Sequence, residues 1–123
     1  MEITVYNTHG NSSELEEFVE ACILDSLQYR GSEFWDLGMD EGGELAEAIN
    51  RAIRACKNSG LSVEENFRSI YIVGEHGILK DWMLSVLARR LILLNANPSN
   101  PIVARLQIKL LKNIEQMRHE TEL

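Results

Sequence analysis

The residues best able to do chemistry in this chain are three cations near its C-terminal end. Arg105, Lys109 and Lys112 are spaced by four and three positions, in a stretch whose apolar residues also recur at helical spacing, so one side of a helix would carry all three. Cations at one-turn intervals can contact the phosphates of a nucleic acid and release its counterions. Arg89, in the preceding apolar segment, would join them if the two helices packed antiparallel. These four residues are the candidate nucleic-acid contacts, and DNA is the candidate partner.

The same three cations have two simpler interpretations. They can form an ordinary solvated helix face, or a seam that pairs with an acidic helix of the same or a neighbouring molecule. The formal charge of −7 is divided unevenly: residues 1–60 hold twelve Asp and Glu against four Lys and Arg, whereas residues 61–123 hold seven against eight. An acidic front half repels nucleic acid at long range, so a local basic patch would have to bind it.

No residue pattern indicates catalysis, a metal or a cofactor. His9, His76 and His119 have no spacing, to each other or to a cysteine, that is typical of metal ligands. The glycines of segment 38–43 lie among acidic residues, which would repel a phosphate. Paired carboxylates occur on a face that reads as solvated, where no acid–base role is required. We predict a non-enzymatic protein without metal or cofactor.

Length and composition indicate one soluble domain over residues 1–123. The 45% apolar and 25% charged content is ordinary for a globular protein. The N-terminus does not resemble a signal peptide, and no apolar run approaches the length of about 20 residues that spans a bilayer. Cys22 and Cys56 fall at apolar positions of helical patterns, so we expect reduced core cysteines in a cytoplasmic protein.

The front of the chain, residues 1–43, predicts a strand and an acidic helix. Residues 2–6 alternate with β-branched residues as a strand does. Ser13 and Glu16 form a capping box, after which apolar residues recur at helical spacing to about Tyr29. Residues 33–37 suggest an extended stretch or a tight turn. Segment 38–43, with three glycines, has no clear interpretation.

The middle of the chain predicts a helix followed by a hairpin. Helical spacing returns at Glu44, and Gly60 can take the left-handed position that closes a helix. The segments 68–73 and 78–84 read as strands, and residues 74–77 can turn the first into the second. We predict an antiparallel hairpin.

Two further helices follow the hairpin. Ser85 can cap the first, and Asn95, which tolerates the left-handed conformation, can close it. That helix is apolar nearly all round, so we expect it to be buried on most sides, with Leu91 and Leu94 almost fully buried. Asn100 followed by Pro101 fits the start of the second. The fold class predicted is α+β, helix-rich, with a small antiparallel β-hairpin.

A series of short segments in the C-terminal part of the chain carries a family resemblance. The segments are Ala48–Gly60, Val63–Arg68, Lys80–Trp82, Leu84–Ser85, Ala88–Ile92, Asn95–Pro98, Pro101, Val103–Ala104 and Gln107. In order and spacing they resemble the DNA-damage-inducible protein D family and phage-related proteins with a Bro-N-type domain, over roughly residues 44–111. The resemblance implies a helix–hairpin–helix–helix unit, here residues 44–118, of a kind found in mobile-element and stress-response proteins and often linked to DNA transactions. It does not imply catalysis.

Two functional hypotheses follow. The first is a non-catalytic, phage-related domain in DNA-associated or stress-response regulation, acting through DNA or protein contacts. The second is an interaction or assembly module that works through its acidic front half and binds no nucleic acid. Separation of the basic stripe from the acidic helix would favour the first, and adjacency the second. In either case the many apolar helix faces predict a homodimer.

Overall fold

The structure is a computed structural model that describes residues 2–4, 14–39 and 43–121, with side chains described for residues 14–39 and 43–118. It confirms the α+β class: helices pack around a four-stranded antiparallel sheet of order β1-β3-β4-β2. The elements are β1 Glu2–Thr4, α1 Glu14–Ser26, β2 Tyr29–Arg30, a 3-10 helix Gly31–Leu37, α2 Glu44–Asn58, β3 Phe67–Gly74, β4 Gly77–Leu84, α3 Val86–Asn95 and α4 Pro101–Thr121.

The predicted hairpin is confirmed. β3 and β4 pair antiparallel along their whole length, from Phe67 opposite Leu84 to Gly74 opposite Gly77, so the turn itself contains two residues. Gly77 adopts a φ of 115°, a conformation that side chains rarely allow. β1 adds to the outer side of β3 through residues 2–4. The rest of the predicted first strand, and the Ser13 capping box, lie outside the described residues.

The prediction of a helix as far as Tyr29 was wrong. α1 ends at Ser26, whose hydroxyl donates to the carbonyl of Ile23 at 2.7 Å. Tyr29 and Arg30 form β2 instead, opposite Leu84 and Met83 of β4. Pairing with a strand more than fifty positions away overrides the local helical pattern. The following residues 31–37 form the 3-10 helix, in place of the extended stretch or tight turn expected over residues 33–37.

α2 confirms the helix predicted from Glu44 and its end near Gly60. Gly60 has a φ of 86°, and its N–H donates to the carbonyl of Lys57 at 3.1 Å. The apolar positions of α2 face the core, and Ala48, Ala52 and Cys56 are fully buried. Small residues at these positions allow α2 to lie close to α3, which is its main helical neighbour.

α3 begins as predicted but is buried on one side only. The Ser85 hydroxyl accepts from the N–H of Ala88 at 3.1 Å, as an N-cap does. The prediction that Leu91 and Leu94 are almost fully buried was wrong: Leu91 is half-buried and Leu94 is 44% exposed, whereas Ile92 is fully buried. A helix on the outside of the domain buries one stripe, and here Ala88 and Ile92 occupy it.

Asn95 closes α3 through its side chain rather than by a left-handed backbone. Its amide donates to the carbonyl of Leu91 at 2.8 Å. Among the described residues, only glycines have a positive φ. The carbonyl of Asn95 itself accepts from the guanidinium of Arg51 in α2, at 2.5 and 3.2 Å. The end of α3 is therefore held by side chains of two helices.

The sheet separates two apolar clusters. On one face, Leu27, which follows α1, packs against Ile70 and Met83 of the hairpin. On the other face, Phe67 and Leu84 pack against the buried residues of α2 and α3 and against Val103 of α4. Successive strand residues point to opposite faces, so α1 covers one face and α2, α3 and α4 belong to the layer on the other.

Candidate nucleic-acid interface

The start of α4 is fixed by Asn100. Its Oδ1 accepts from the N–H of Ile102 at 3.0 Å, which caps the helix as predicted, and Pro101 occupies the first helical position. Its Nδ2 donates to the carbonyl of Leu37 at 2.7 Å, at the end of the 3-10 helix. One side chain therefore begins α4 and attaches it to a distant part of the chain.

A second amide orients α4 about its axis. The Nε2 of Gln107 donates to the carbonyls of Leu93 and Ala96 at 2.9 Å each, at the end of α3. The Leu93 carbonyl also accepts from the N–H of Ala96 at 3.2 Å. Val103, one turn earlier on the same side, is fully buried. Together these residues define the inner side of α4 and determine which residues face outward.

The three predicted cations lie on the outward side. At 100° per residue, Arg105, Lys109 and Lys112 fall within an arc of about 60°, at angles of about 120° to 180° from Val103 around the helix axis. All three are exposed. Within the described part of the chain, no acidic oxygen lies within 4.0 Å of any of them. The structure therefore places the three together, as an uncompensated basic stripe about 10 Å long.

Arg89, the fourth predicted contact, is engaged elsewhere. Its Nε lies 3.2 Å from a carboxylate oxygen of Glu33 in the 3-10 helix. Its guanidinium carbon lies 4.3 Å from the centre of the Tyr29 ring, in a cation–π contact. Both partners belong to the segment that follows α1, so the charge of Arg89 is directed at that segment. The basic stripe is therefore defined by the residues of α4 alone.

The acidic helix α1 is held on the far face of the sheet from the α4 layer. Glu20 forms a bidentate ion pair with Arg68 of β3, with one contact between Nη2 and Oε2 of 3.0 Å, and both side chains are more than four-fifths buried. Arg68 also donates from Nε to the carbonyl of Glu64 at 2.9 Å. The hydrogen bond to Glu20 raises the pKa of Arg68.

A cavity between the hairpin and α2 was not expected from the sequence. It has a volume of about 260 Å³ and lies between Lys80–Trp82 of β4 and residues 45–50 of α2, with Trp35 at its side. The Nζ of Lys80 lies 4.9 Å from the centre of the Trp82 ring. Both Trp35 and Trp82 line this cavity. Their meeting there depends on how the 3-10 helix folds, which local spacing does not reveal.

The described residues contain neither a candidate metal-binding cluster nor a candidate membrane-spanning helix. Residues 2–4, 14–39 and 43–121 contain no group of three or more His, Cys, Asp or Glu side chains placed to hold a metal ion. Within the same ranges, every helix is too short or too polar to cross a membrane.

Fold and site together define a helix-rich α+β domain in which three exposed cations of α4 have no acidic partner within 4.0 Å among the described residues. In sequence, the chain is 31% identical over 90 residues to DNA damage-inducible protein D of Escherichia coli (strain K12), an alignment that covers 63% of this chain. The chain spans about a third of the length of that relative, with 33% of it aligned. No protein-family model matches the chain. No solved structure matches it either.

Proposed function

We propose that this chain is a non-catalytic domain of the DNA-damage-inducible protein D family, with phage or mobile-element ancestry and a Bro-N-type fold, that acts in a DNA-associated stress response by contacting DNA. The observation that carries the proposal is the uncompensated stripe of Arg105, Lys109 and Lys112. The similarity to a protein induced by DNA damage supports the cellular setting.

The placement of α1 supports DNA contact over self-neutralisation. A stripe that served as a seam for the acidic helix of the same molecule would lie beside it. α1 instead packs on the face of the sheet opposite to the layer that contains α4. An anionic partner such as DNA could therefore approach the outer side of α4 without first meeting the acidic helix. The overall charge of −7 still weakens the approach at long range.

Salt dependence tests the proposal directly. Three phosphate contacts, at about 0.7 to 0.9 each, give a log–log slope of binding against salt between about −2.1 and −2.7. Replacing both Lys109 and Lys112 by Gln should flatten the slope by about 1.4 to 1.8 units. The measurement is fluorescence anisotropy with a labelled duplex and a labelled single strand at several salt concentrations.

A matched control removes the same charge from another surface. Arg54 and Lys57 of α2 are exposed and lie outside the stripe, so the double replacement of both by Gln should leave the slope within about 0.3 of the original if the stripe holds the phosphates. Circular dichroism establishes that both variants are folded. The proposal of DNA contact would be rejected if the two double variants changed the salt slope equally. It would also be rejected if the folded protein did not bind DNA at low salt.

The second candidate is a protein-interaction module that uses the acidic front half. It is favoured by one observation: Leu15, Phe18 and Val19 recur at helical spacing on α1 and are largely exposed, with five acidic residues and no basic residue on that helix. Such a face fits a protein partner rather than DNA. Rejection of DNA contact in the experiment above would make this the preferred function.

A further inference from the structure

Within the described residues, the outer edge of β4 is largely without a strand partner. In the sheet order, β4 lies between β3 and β2, but β2 contains only Tyr29 and Arg30 and pairs with the last two residues of β4. Among the described strands, none pairs with Gly77–Trp82 on that side. Residues 77–80 are exposed. A short run of strand therefore presents its backbone to a partner.

The register identifies the free backbone groups. Gly74 and Gly77 close a two-residue turn and form a hydrogen-bonded pair, and such pairs alternate along an antiparallel ladder. The N–H and C=O groups of residues 77, 79 and 81 therefore point to β3, and those of Ile78, Lys80 and Trp82 point outward. The N–H of Trp82 donates to the Asp81 carboxylate at 2.7 Å. Ile78 and Lys80 thus offer a donor and an acceptor each.

Asp81 marks where the free edge ends. Its Oδ1 also accepts from the N–H of Ser32 at 2.9 Å, which attaches the start of the 3-10 helix to the edge of β4. The residue is 3% exposed. A partner strand along Ile78 and Lys80 would therefore meet the 3-10 helix at Asp81 and be directed toward the cavity beside Trp82.

The cavity has the size of a side-chain pocket. Its volume of about 260 Å³ lies below the range of about 300–1,000 Å³ that is typical of small-molecule sites. Trp35, Trp82 and Ile49 supply apolar wall. Lys80 and Trp82 are two positions apart and share one face of the strand, so residues i and i+2 of an added strand would face them in turn.

We propose that the β4 edge and this cavity bind an extended peptide of a partner protein, added as a strand, with an acidic residue opposite Lys80 and a large apolar residue in the cavity. This is strand addition, in which main-chain hydrogen bonds give affinity and alternate side chains give specificity. The acidic residue follows from the charge of Lys80, and the apolar residue follows from the tryptophan walls.

Selection from a random peptide library tests the proposal. The immobilised full chain is panned against phage-displayed peptides of twelve random residues. The expected result is enrichment of peptides with an acidic residue two positions from Leu, Ile, Phe or Trp. Failure to enrich any peptide, or enrichment of sequences without this spacing, would overturn the proposal.

Substitutions at Lys80 locate the binding. Lys80→Pro removes an outward N–H but no bond to β3, and edge strands tolerate proline. Loss of that hydrogen bond and of the adjacent one to the peptide should lower the affinity for an enriched peptide about tenfold, as measured by fluorescence anisotropy. Lys80→Glu should weaken it by a similar factor and should change the selected residue from acidic to basic. Lys109→Gln is the control, because it removes a lysine of α4 that lines neither the β4 edge nor the cavity.

The oligomeric state separates a foreign peptide from a second copy. If β4 edges of two molecules pair with each other, Lys80→Pro converts a dimer into a monomer, and the enriched peptides compete with dimerisation. That result would overturn the proposal of a separate partner. Unchanged peptide affinity in a folded Lys80→Pro protein, judged by circular dichroism, would overturn edge binding altogether.

Discussion

Glu20 of α1 and Arg68 of β3, 48 positions apart, form a two-point ion pair that is more than four-fifths buried on both sides. Guanidinium and carboxylate groups match geometrically in this arrangement, so the pair orients α1 as well as attaching it. Because α1 contains no buried residue of its own, the pair adds to the packing of the half-buried Ile23 and Leu24 in holding the helix on the sheet.

Glu20→Ala should therefore destabilise the protein by about 1–3 kcal/mol, since it leaves a partly buried guanidinium without its carboxylate. Urea unfolding measures the change. Glu17→Ala is the control, because Glu17 is exposed on the same helix and its loss should change stability by at most about 0.5 kcal/mol. Equal effects of the two substitutions would mean that the pair contributes no stability.

Ile92 and Leu94 should respond differently to truncation. Ile92 is fully buried and Leu94 is 44% exposed, so Ile92→Ala should cost about 2–5 kcal/mol through the cavity it leaves. Leu94→Ala should cost less than about 1 kcal/mol, because much of its side chain is already in water. Denaturant titration of both variants checks the orientation of α3. A reversed order would place the outer side of α3 in the core.

The two cysteines should react at different rates. Cys56 is fully buried as expected, but the expectation that Cys22 lies in the core was wrong, because Cys22 is exposed. Only an accessible thiolate attacks a thiol reagent. One thiol should therefore react at once and the second at the rate at which the domain opens. Stopped-flow absorbance with an aromatic disulfide measures both phases, and Cys22→Ser should remove the fast phase alone. A fast phase in which both thiols react would contradict the burial of Cys56.

Cys56 also predicts how stability depends on alkaline pH. Burial raises the pKa of its thiol above the ordinary value of 9.0, so the folded state binds this proton more tightly than the unfolded chain. The resulting stability is complete below pH 9.0 and is lost as the pH rises from there through the folded-state pKa. Cys56→Ala should make the decline in stability above pH 9.0 shallower. Urea midpoints measured from pH 8 upward test the sign.

The homodimer stays a prediction, and α4 offers a specific test of it. Leu111 and Ile114 lie in the C-terminal half of α4 and are about half exposed. Ile114 is on the same side of the helix as the buried Val103. If two copies pair there, Ile114→Glu should convert a dimer to a monomer in light scattering. Monomer mass for the unmodified chain at all concentrations would reject the dimer.

The hairpin and the helix starts could be predicted because their signals are local. The two-residue turn, the Ser85 cap and the Asn100–Pro101 start each depend on neighbouring residues. Tyr29 could not be placed in β2, because its strand partner Leu84 is 55 positions away. The burial of Leu94 was overestimated, because hydrophobicity all round a helix does not reveal which side meets the core.

In the candidate site, too, local features could be predicted from the sequence and tertiary contacts could not. The spacing of Arg105, Lys109 and Lys112 placed them correctly on one side of a helix, since helical periodicity is a local property. The engagement of Arg89 by Glu33 and Tyr29 is a tertiary contact. No spacing in the sequence indicates it, because the two partners meet Arg89 only after β2 and the 3-10 helix have formed.

Because few contacts attach α1 to the sheet, α1 should detach more easily than the rest of the domain unfolds. α1 touches the sheet through the half-buried Ile23 and Leu24 and through Glu20, whereas α2 buries five of its residues. Release of α1 alone would expose little apolar surface, so its amide hydrogens should exchange with deuterium through a local fluctuation. Those of α2 should exchange only when the whole domain unfolds. The acidic helix can thus leave the sheet while the layer that carries α4 stays folded.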